Sequence, residues 1–226
     1  MQCYRITPND TAWSKSDVDS VSERELFSSA VVRLREYHAT GKLSWQAAPG
    51  TLYLLTAGAM TTADGTTFVD GDLYWCNTVD DTLELGDEGA TFYCIEALQG
   101  TGVDTPTRKI ISGEIPWENF DDPAGRPTQP VQVLLEGGLS ALRTRFVPSY
   151  IAGEHWHDFD TLYFIRQGRM QFGDEGWFER GEIRAVHGGH SYGPERPGTE
   201  GVEFVLISIG GPVNLHWSDL EPPPPQ

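Results

Sequence analysis

The sequence predicts an all-β protein made of two copies of one strand-rich unit, and three observations carry that expectation. The first is an internal repeat. Thr51-Leu52-Tyr53-Leu54-Leu55-Thr56-Ala57-Gly58-Ala59-Met60 matches Thr161-Leu162-Tyr163-Phe164-Ile165-Arg166-Gln167-Gly168-Arg169-Met170 at a constant offset of 110 residues. The same offset carries Asp64 onto Asp174, Phe68 onto Phe178, Gly71 onto Gly181, Asp72 onto Glu182 and Leu73 onto Ile183; after a two-residue slip, Glu88 to Phe92 matches Glu200 to Phe204. A register held over so many positions marks a duplicated structural unit. The second observation is punctuation: short alternating or apolar runs lie between Gly, Asp and Pro turns, with the spacing of a sandwich or barrel. The third is size. A chain of 226 residues can bury a substantial core without disulfides.

The repeat sets the expected domains: residues 1–104 as the first unit, 105–220 as the second, and 221–226 as a proline-rich tail. Pro106, Pro116, Pro123, Pro127 and Pro130 mark the stretch from about 105 to 130 as the linker and entry to the second unit. Glu23 to Tyr37 is ambiguous, because Ser20 and Glu23 could form a capping box for a helix. Ser29-Ala30-Val31 stands opposite Ser140-Ala141-Leu142 in the repeat, which favours a strand over Val31 to Tyr37.

Composition narrows the partners. Sixteen Lys and Arg stand against 33 Asp and Glu, a formal net charge of −17, which argues against nucleic acid or an anionic membrane surface as partner. Cys3, Cys76 and Cys94 are widely spaced and odd in number, so neither a disulfide framework nor a zinc finger is indicated, and a reducing cytoplasm fits best. The N-terminus has no basic segment followed by an apolar run, and no stretch approaches the roughly 20 apolar residues of a membrane span. A small-molecule substrate is the expected partner, and an exposed edge strand makes a homodimer plausible.

The chemistry concentrates at Gly153-Glu154-His155-Trp156-His157-Asp158-Phe159-Asp160. Residues two apart on a strand share a face, so the imidazoles of His155 and His157 project side by side, as metal ligands do. Leu162, Tyr163, Phe164 and Ile165 then read as a buried strand. Further on, if Ile183 to Val186 is a strand followed by a Gly188-Gly189 turn, His190 and Tyr192 share parity and can face inward to complete the pair. His187 is held in reserve, with Asp158 and Asp160 nearby. The first unit has Ser44-Trp45-Gln46 where the second has His155-Trp156-His157, and Asn77, Asp80 and Thr82 in the places of His187, His190 and Tyr192. It is expected to be structural, burying a face of its partner, or to form part of a substrate wall. His38 and His216 read as ordinary surface or packing residues.

These segments resemble the cupin superfamily, whose first motif is a glycine, five residues, His-x-His, three or four residues, Glu, six residues, Gly. His155, His157 and Gly168 match it, while Ser149 replaces the first glycine and Thr161 the glutamate. In the second motif Gly181 and Gly189 match, but His187 stands for a proline, Tyr192 for the histidine and Arg196 for the asparagine. The resemblance spans about residues 25–210 and implies two tandem cupin-type antiparallel jelly-roll barrels, the first degenerate. It also implies one divalent transition ion (Fe, Mn, Ni, Cu or Zn) on His155 and His157, with His190 or Tyr192 as further ligand and as the group that moves protons. The activity implied is a dioxygenase-type oxidoreductase acting on a small oxygenated organic substrate. A non-redox isomerase or lyase, or a non-catalytic binding or sensing bicupin, is the alternative.

Overall fold

In the computed structural model, residues 2–77, 81–98, 105–120 and 129–220 are described, and they form an all-β chain of two compact units. Strand β1 (Cys3–Ile6) opens the chain. The unit Asn9–Ile115 follows, with β2 (Ser14–Lys15), β3 (Val21–Ser28), β4 (Val32–Ala39), β5 (Leu43–Gln46), β6 (Thr51–Thr62), β7 (Thr67–Phe68), β8 (Leu73–Cys76), β9 (Thr82–Ala97) and β10 (Arg108–Ile110). The other unit is Met1–Pro8 with Pro116–Gln226. It holds β1 together with β11 (Glu118–Phe120), β12 (Gln129–Leu135), β13 (Leu139–Phe146), β14 (His155–Trp156), β15 (Asp160–Phe172), β16 (Gly176–Glu179), β17 (Ile183–Val186), β18 (Glu195–Ile209) and β19 (His216–Trp217).

Both sheets are antiparallel and have the same strand order. In the first unit it is β10-β8-β6-β9-β4-β3-β2, and in the second β1-β17-β15-β18-β13-β12-β11. The match extends to residue register, since Thr51 pairs with Cys76 and Thr161 with Val186, each through to the fourth residue. Even the bulges repeat: β6 slips between Leu55 and Ala57 and again between Gly58 and Met60, and β15 slips between Ile165 and Gln167 and between Gly168 and Met170. Extra residues at these points bend a long strand so that one chain segment serves both faces of a barrel. The inward positions match too. Tyr53, Met60, Phe68 and Phe92 are core residues of the first unit, and Tyr163, Met170, Phe178 and Phe204 are their counterparts in the second. Each such side chain, fully buried, contributes about 1.5–3 kcal/mol.

The units divide differently from the expected boundary at 104/105. β10 pairs with β8, so residues 108–110 complete the first sheet. The corresponding edge of the second sheet is taken by β1, with Cys3 to Ile6 paired to Val186 to Ile183. Backbone pairing explains the shift: the edge of β17 exposes unpaired N–H and C=O groups, and β1 pairs with them. The stretch expected as linker thus carries β10 and β11, and Pro123 and Pro127 lie outside the described residues, as does the tail 221–226. The ambiguous stretch Glu23 to Tyr37 is the hairpin β3–β4, whose pairing of Val21 with Ala39 leaves no helix there. No helix among the described residues is long and apolar enough to cross a membrane.

One glycine pair shows why the repeat is so strict. Gly168 sits at φ +69°, and a Cβ there would lie 2.2 Å from the carbonyl oxygen of Gly201; its counterpart Gly58, at φ +76°, would place one 2.1 Å from the oxygen of Gly89. Gly168→Ala is expected to cost about 3 kcal/mol from left-handed strain and the backbone collision together. Gly181→Ala, with φ +88° and nothing within 4 Å, carries only the conformational cost of about 1–2 kcal/mol. Equal losses in urea denaturation would contradict the close-approach explanation.

A second prediction concerns acid. Burial pushes the Glu203 carboxyl up, but hydrogen bonds from Arg145 (2.6 Å) and Arg143 (2.6 and 2.9 Å) outweigh it and hold the group below its ordinary value of 4.5. A depressed folded-state value means that the stabilisation is complete above about pH 4.5 and is lost as pH falls through the folded value. Glu203→Gln is expected to remove that part of the acid dependence, measured as the slope of Tm against pH between about 3 and 5; an unchanged slope would contradict it.

Candidate functional site

The second unit holds a cavity of about 120 Å³, and both members of the His-x-His pair line it. His155 lies on β14, where its neighbours pair with β19 on one side while its own backbone exchanges two hydrogen bonds with Tyr192 on the other (2.9 Å each). His157 follows where the chain leaves β14, its carbonyl accepting from Gly189 N at 2.7 Å. Backbone pairing on both flanks fixes the rings. They are 2% and 5% exposed, with ring centres 5.5 Å apart.

The tautomers follow from the partners. Nδ1 of His155 meets the carbonyl of Gly153 at 2.8 Å, and Nδ1 of His157 meets the carbonyl of Asn214 at 2.5 Å. A carbonyl only accepts, so each Nδ1 donates and each Nε2 carries the lone pair, the arrangement found in metal-ligating histidines. Burial lowers the pKa of His157 to about 4, keeping that ring neutral near pH 7. Its Nε2 lies 3.3 Å from the hydroxyl of Tyr163, which in turn hydrogen-bonds the hydroxyl of Tyr192. The single Tyr163 proton has three acceptors in reach: Nε2 of His157, the Tyr192 oxygen and the Glu195 carboxylate.

The residue that sequence reasoning missed is Glu195. Backbone hydrogen bonds to Ala152 (3.0 and 3.1 Å) anchor it at the start of β18, and its side chain lines the same cavity at 2% exposure. Oε1 lies 3.7 Å from Nε2 of His155 and has no hydrogen-bond partner among the described residues. Burial pushes this carboxyl up to about 7, the charge of Arg184 and a hydrogen bond from Tyr163 only partly opposing it. A lone carboxylate oxygen buried this deeply is costly unless something positive meets it.

The expected third ligands stand elsewhere. His190 is not among the described residues that line the cavity: the chain turns, with His190 N bonded to His187 O at 3.3 Å, so the strand parity that would have turned the ring inward does not hold. His187 faces Asp160 at 3.1 Å and Tyr4 edge-on. Tyr192 is buried, with the Arg184 guanidinium 4.0 Å above its ring, and burial pushes its hydroxyl above the usual phenol range. Its hydroxyl is hydrogen-bonded to that of Tyr163. Thr161, in the place of the motif glutamate, is buried inside β15. Asp158 accepts from Asn214 at 2.7 Å and lies 3.0 Å from His216, which stacks on Trp156 at 4.0 Å. His216 thus helps hold β19 against β14. In kind, two imidazole nitrogens and one carboxylate suit a divalent transition ion, although Tyr163 must release Nε2 of His157 for an ion to take it. In spacing they are a loose set, because no three His, Cys, Asp or Glu side chains among the described residues are grouped as a ready-made cage.

In the first unit Trp45 occupies the corresponding place. It packs on Tyr37 and Phe92 at 4.9 and 5.3 Å, filling the interior with rings. Asn77 and Thr82 bring no imidazole, and Asp80 lies outside the described residues.

Behind Tyr192, Arg184 is fully buried and paired with Glu175 at 2.5 and 2.9 Å. Glu175→Ala leaves a buried, uncompensated guanidinium and is expected to cost about 3–5 kcal/mol in denaturant titration. A loss under 1 kcal/mol would show that Arg184 finds solvent instead.

No protein-family model matches the sequence, and no curated protein matches it. Solved structures do. The oxalate decarboxylase of Lactobacillus farciminis, in its formate complex, superposes with a TM-score of 0.65 at 12% identity over 93% of this chain and 87% of that one. The protein YlbA of Escherichia coli gives 0.67 at 12% identity over 92% and 90%, and the 11S allergen of the coconut Cocos nucifera 0.65 at 11% over 96% and 92%. These likenesses, with the duplicated antiparallel sheets, establish that the chain has the cupin fold.

Proposed function

We propose that the second unit is a metal-dependent enzyme of dioxygenase type acting on a small oxygenated organic molecule, with His155, His157 and Glu195 holding its ion. The observation that carries this reading is the unpaired Oε1 of Glu195, buried in the cavity wall beside two Nε2 lone pairs. Glu195 supplies the anionic donor lost at Thr161, from another strand. When bound, a divalent iron, manganese, nickel, copper or zinc ion would supply Lewis acidity and open coordination positions; two histidines and one carboxylate suit the non-haem iron oxygenases.

The remaining work falls to side chains of this chain. Gly153 O and Asn214 O orient the imidazoles, and the apolar wall of Phe146, Leu206 and Trp217 excludes water from the reacting oxygen. Tyr163, hydrogen-bonded to Tyr192 and 3.3 Å from Nε2 of His157, stands beside the site with a hydroxyl that would be released to a guest oxygen once an ion takes that nitrogen. One observation favours a second reading. Glu195, pushed up to about 7 and 3.7 Å from His155, also suits a proton-transferring acid or base in a non-redox isomerase or lyase.

Elemental mass spectrometry of tag-free protein separates the readings. Iron, manganese, nickel or copper near one per chain is expected, lost in His155→Ala/His157→Ala and held at least tenfold more weakly in Glu195→Gln. Zinc alone would move the chemistry to the isomerase or lyase reading. Absence of metal from protein kept reduced and free of chelator, or full retention in Glu195→Gln, would overturn the proposed ion site.

A further inference from the structure

The wall of this cavity also selects by charge and size. Apart from His155, His157 and Glu195 it is largely hydrocarbon, with Phe146, Leu206, Leu215 and Trp217 among its members. Other polar groups of the wall have partners within the protein: Thr144 Oγ1 donates to Pro130 O at 3.0 Å, Gln129 Oε1 accepts from Val147 N at 3.2 Å, and the Tyr163 hydroxyl meets Tyr192 and His157. No lysine or arginine is among the described residues that line it. Arg184 lies over the Tyr192 ring, outside the lining, with its charge already met by Glu175.

A small dianion entering such a space would be stripped of water, would meet no side-chain cation, and would share the wall with Glu195. An uncharged guest with an apolar body avoids all three costs and gains from burial. Size narrows the class further. A cavity of ~150 Å³ lined by apolar side chains accommodates benzene, and this one, at about 120 Å³, is smaller, so a single ring is the upper limit.

On the reading proposed above, we infer that the site takes an uncharged molecule of at most one six-membered ring, carrying a hydroxyl or carbonyl oxygen, and excludes small dianions. The oxygen function faces His155 and Glu195, and the ring lies against Phe146, Leu206 and Trp217. The site thereby differs in guest charge from the oxalate decarboxylase that shares its fold.

Saturation-transfer NMR with phenol, cyclohexanone and oxalate as probes tests this, on protein as purified and after chelator treatment. Phenol and cyclohexanone are expected to bind both preparations, and oxalate at equal concentration not to bind the chelator-treated one. Leu206→Trp, which fills the cavity, is expected to weaken both neutral probes at least tenfold. Leu215→Arg changes a partly exposed wall position, so it tests charge without depending on a repacked core; it is expected to admit oxalate and weaken cyclohexanone. Oxalate binding to chelator-treated wild type as tightly as phenol would overturn the inference. So would neutral binding unaffected by Leu206→Trp, or no neutral binding at all. Because the chelator-treated arm needs no ion, failure of the ion site leaves this result independently readable.

Discussion

Everything about the second unit turns on a carboxylate that the fold buries without a partner for one of its oxygens. Glu195 is tied by its backbone to Ala152 and directs Oε1 into a cavity whose other inward polar atoms include the Nε2 lone pairs of two histidines. Water has been taken from all three groups, and the nearby guanidinium of Arg184 is occupied by Glu175. A buried carboxylate oxygen in this state is a liability to folding, and the proposed ion would offset it. The hydrogen bonds that fix both imidazoles, the β14–β19 pairing and the Tyr192–Tyr163 pair all hold that arrangement in place.

Duplication explains how one unit can bear this cost while the other does not. The two sheets share strand order, register and bulges, so the backbone problem is solved in the same way in each. They differ in what fills the interior. Trp45, Tyr37 and Phe92 pack against one another in the first unit. The second unit keeps Phe204 and Tyr163 at the positions of Phe92 and Tyr53, and it encloses a cavity of about 120 Å³ lined by His155 and His157.

The strands were legible because the repeat is written in inward-facing side chains and obligatory glycines. Gly58 and Gly168 must be glycine to let a neighbouring strand pass, so their spacing survives where most other residues have changed. The His155/His157 pair was legible from its parity alone. The edge strand β1 was not, since four residues at the far end of the chain carry no local sign that they pair with Val186 to Ile183. His190 misled because the parity rule holds only while a strand continues, and the chain turns at Gly188-Gly189. Glu195 was hidden for a different reason: nothing local distinguishes a buried carboxylate from the many solvated ones in so acidic a chain. The one available signal was its place directly after Tyr192-Gly193-Pro194, beside the position of the lost motif histidine.

The most direct test of the ion site is anomalous X-ray diffraction at the absorption edge of the metal carried by crystals of the purified protein. A single anomalous peak in the second unit, bonded to Nε2 of His155, Nε2 of His157 and a carboxylate oxygen of Glu195, is the result expected. An ion bonded to His190 or to the Tyr192 oxygen, with Glu195 turned away, would contradict the assignment of Glu195 as the third donor.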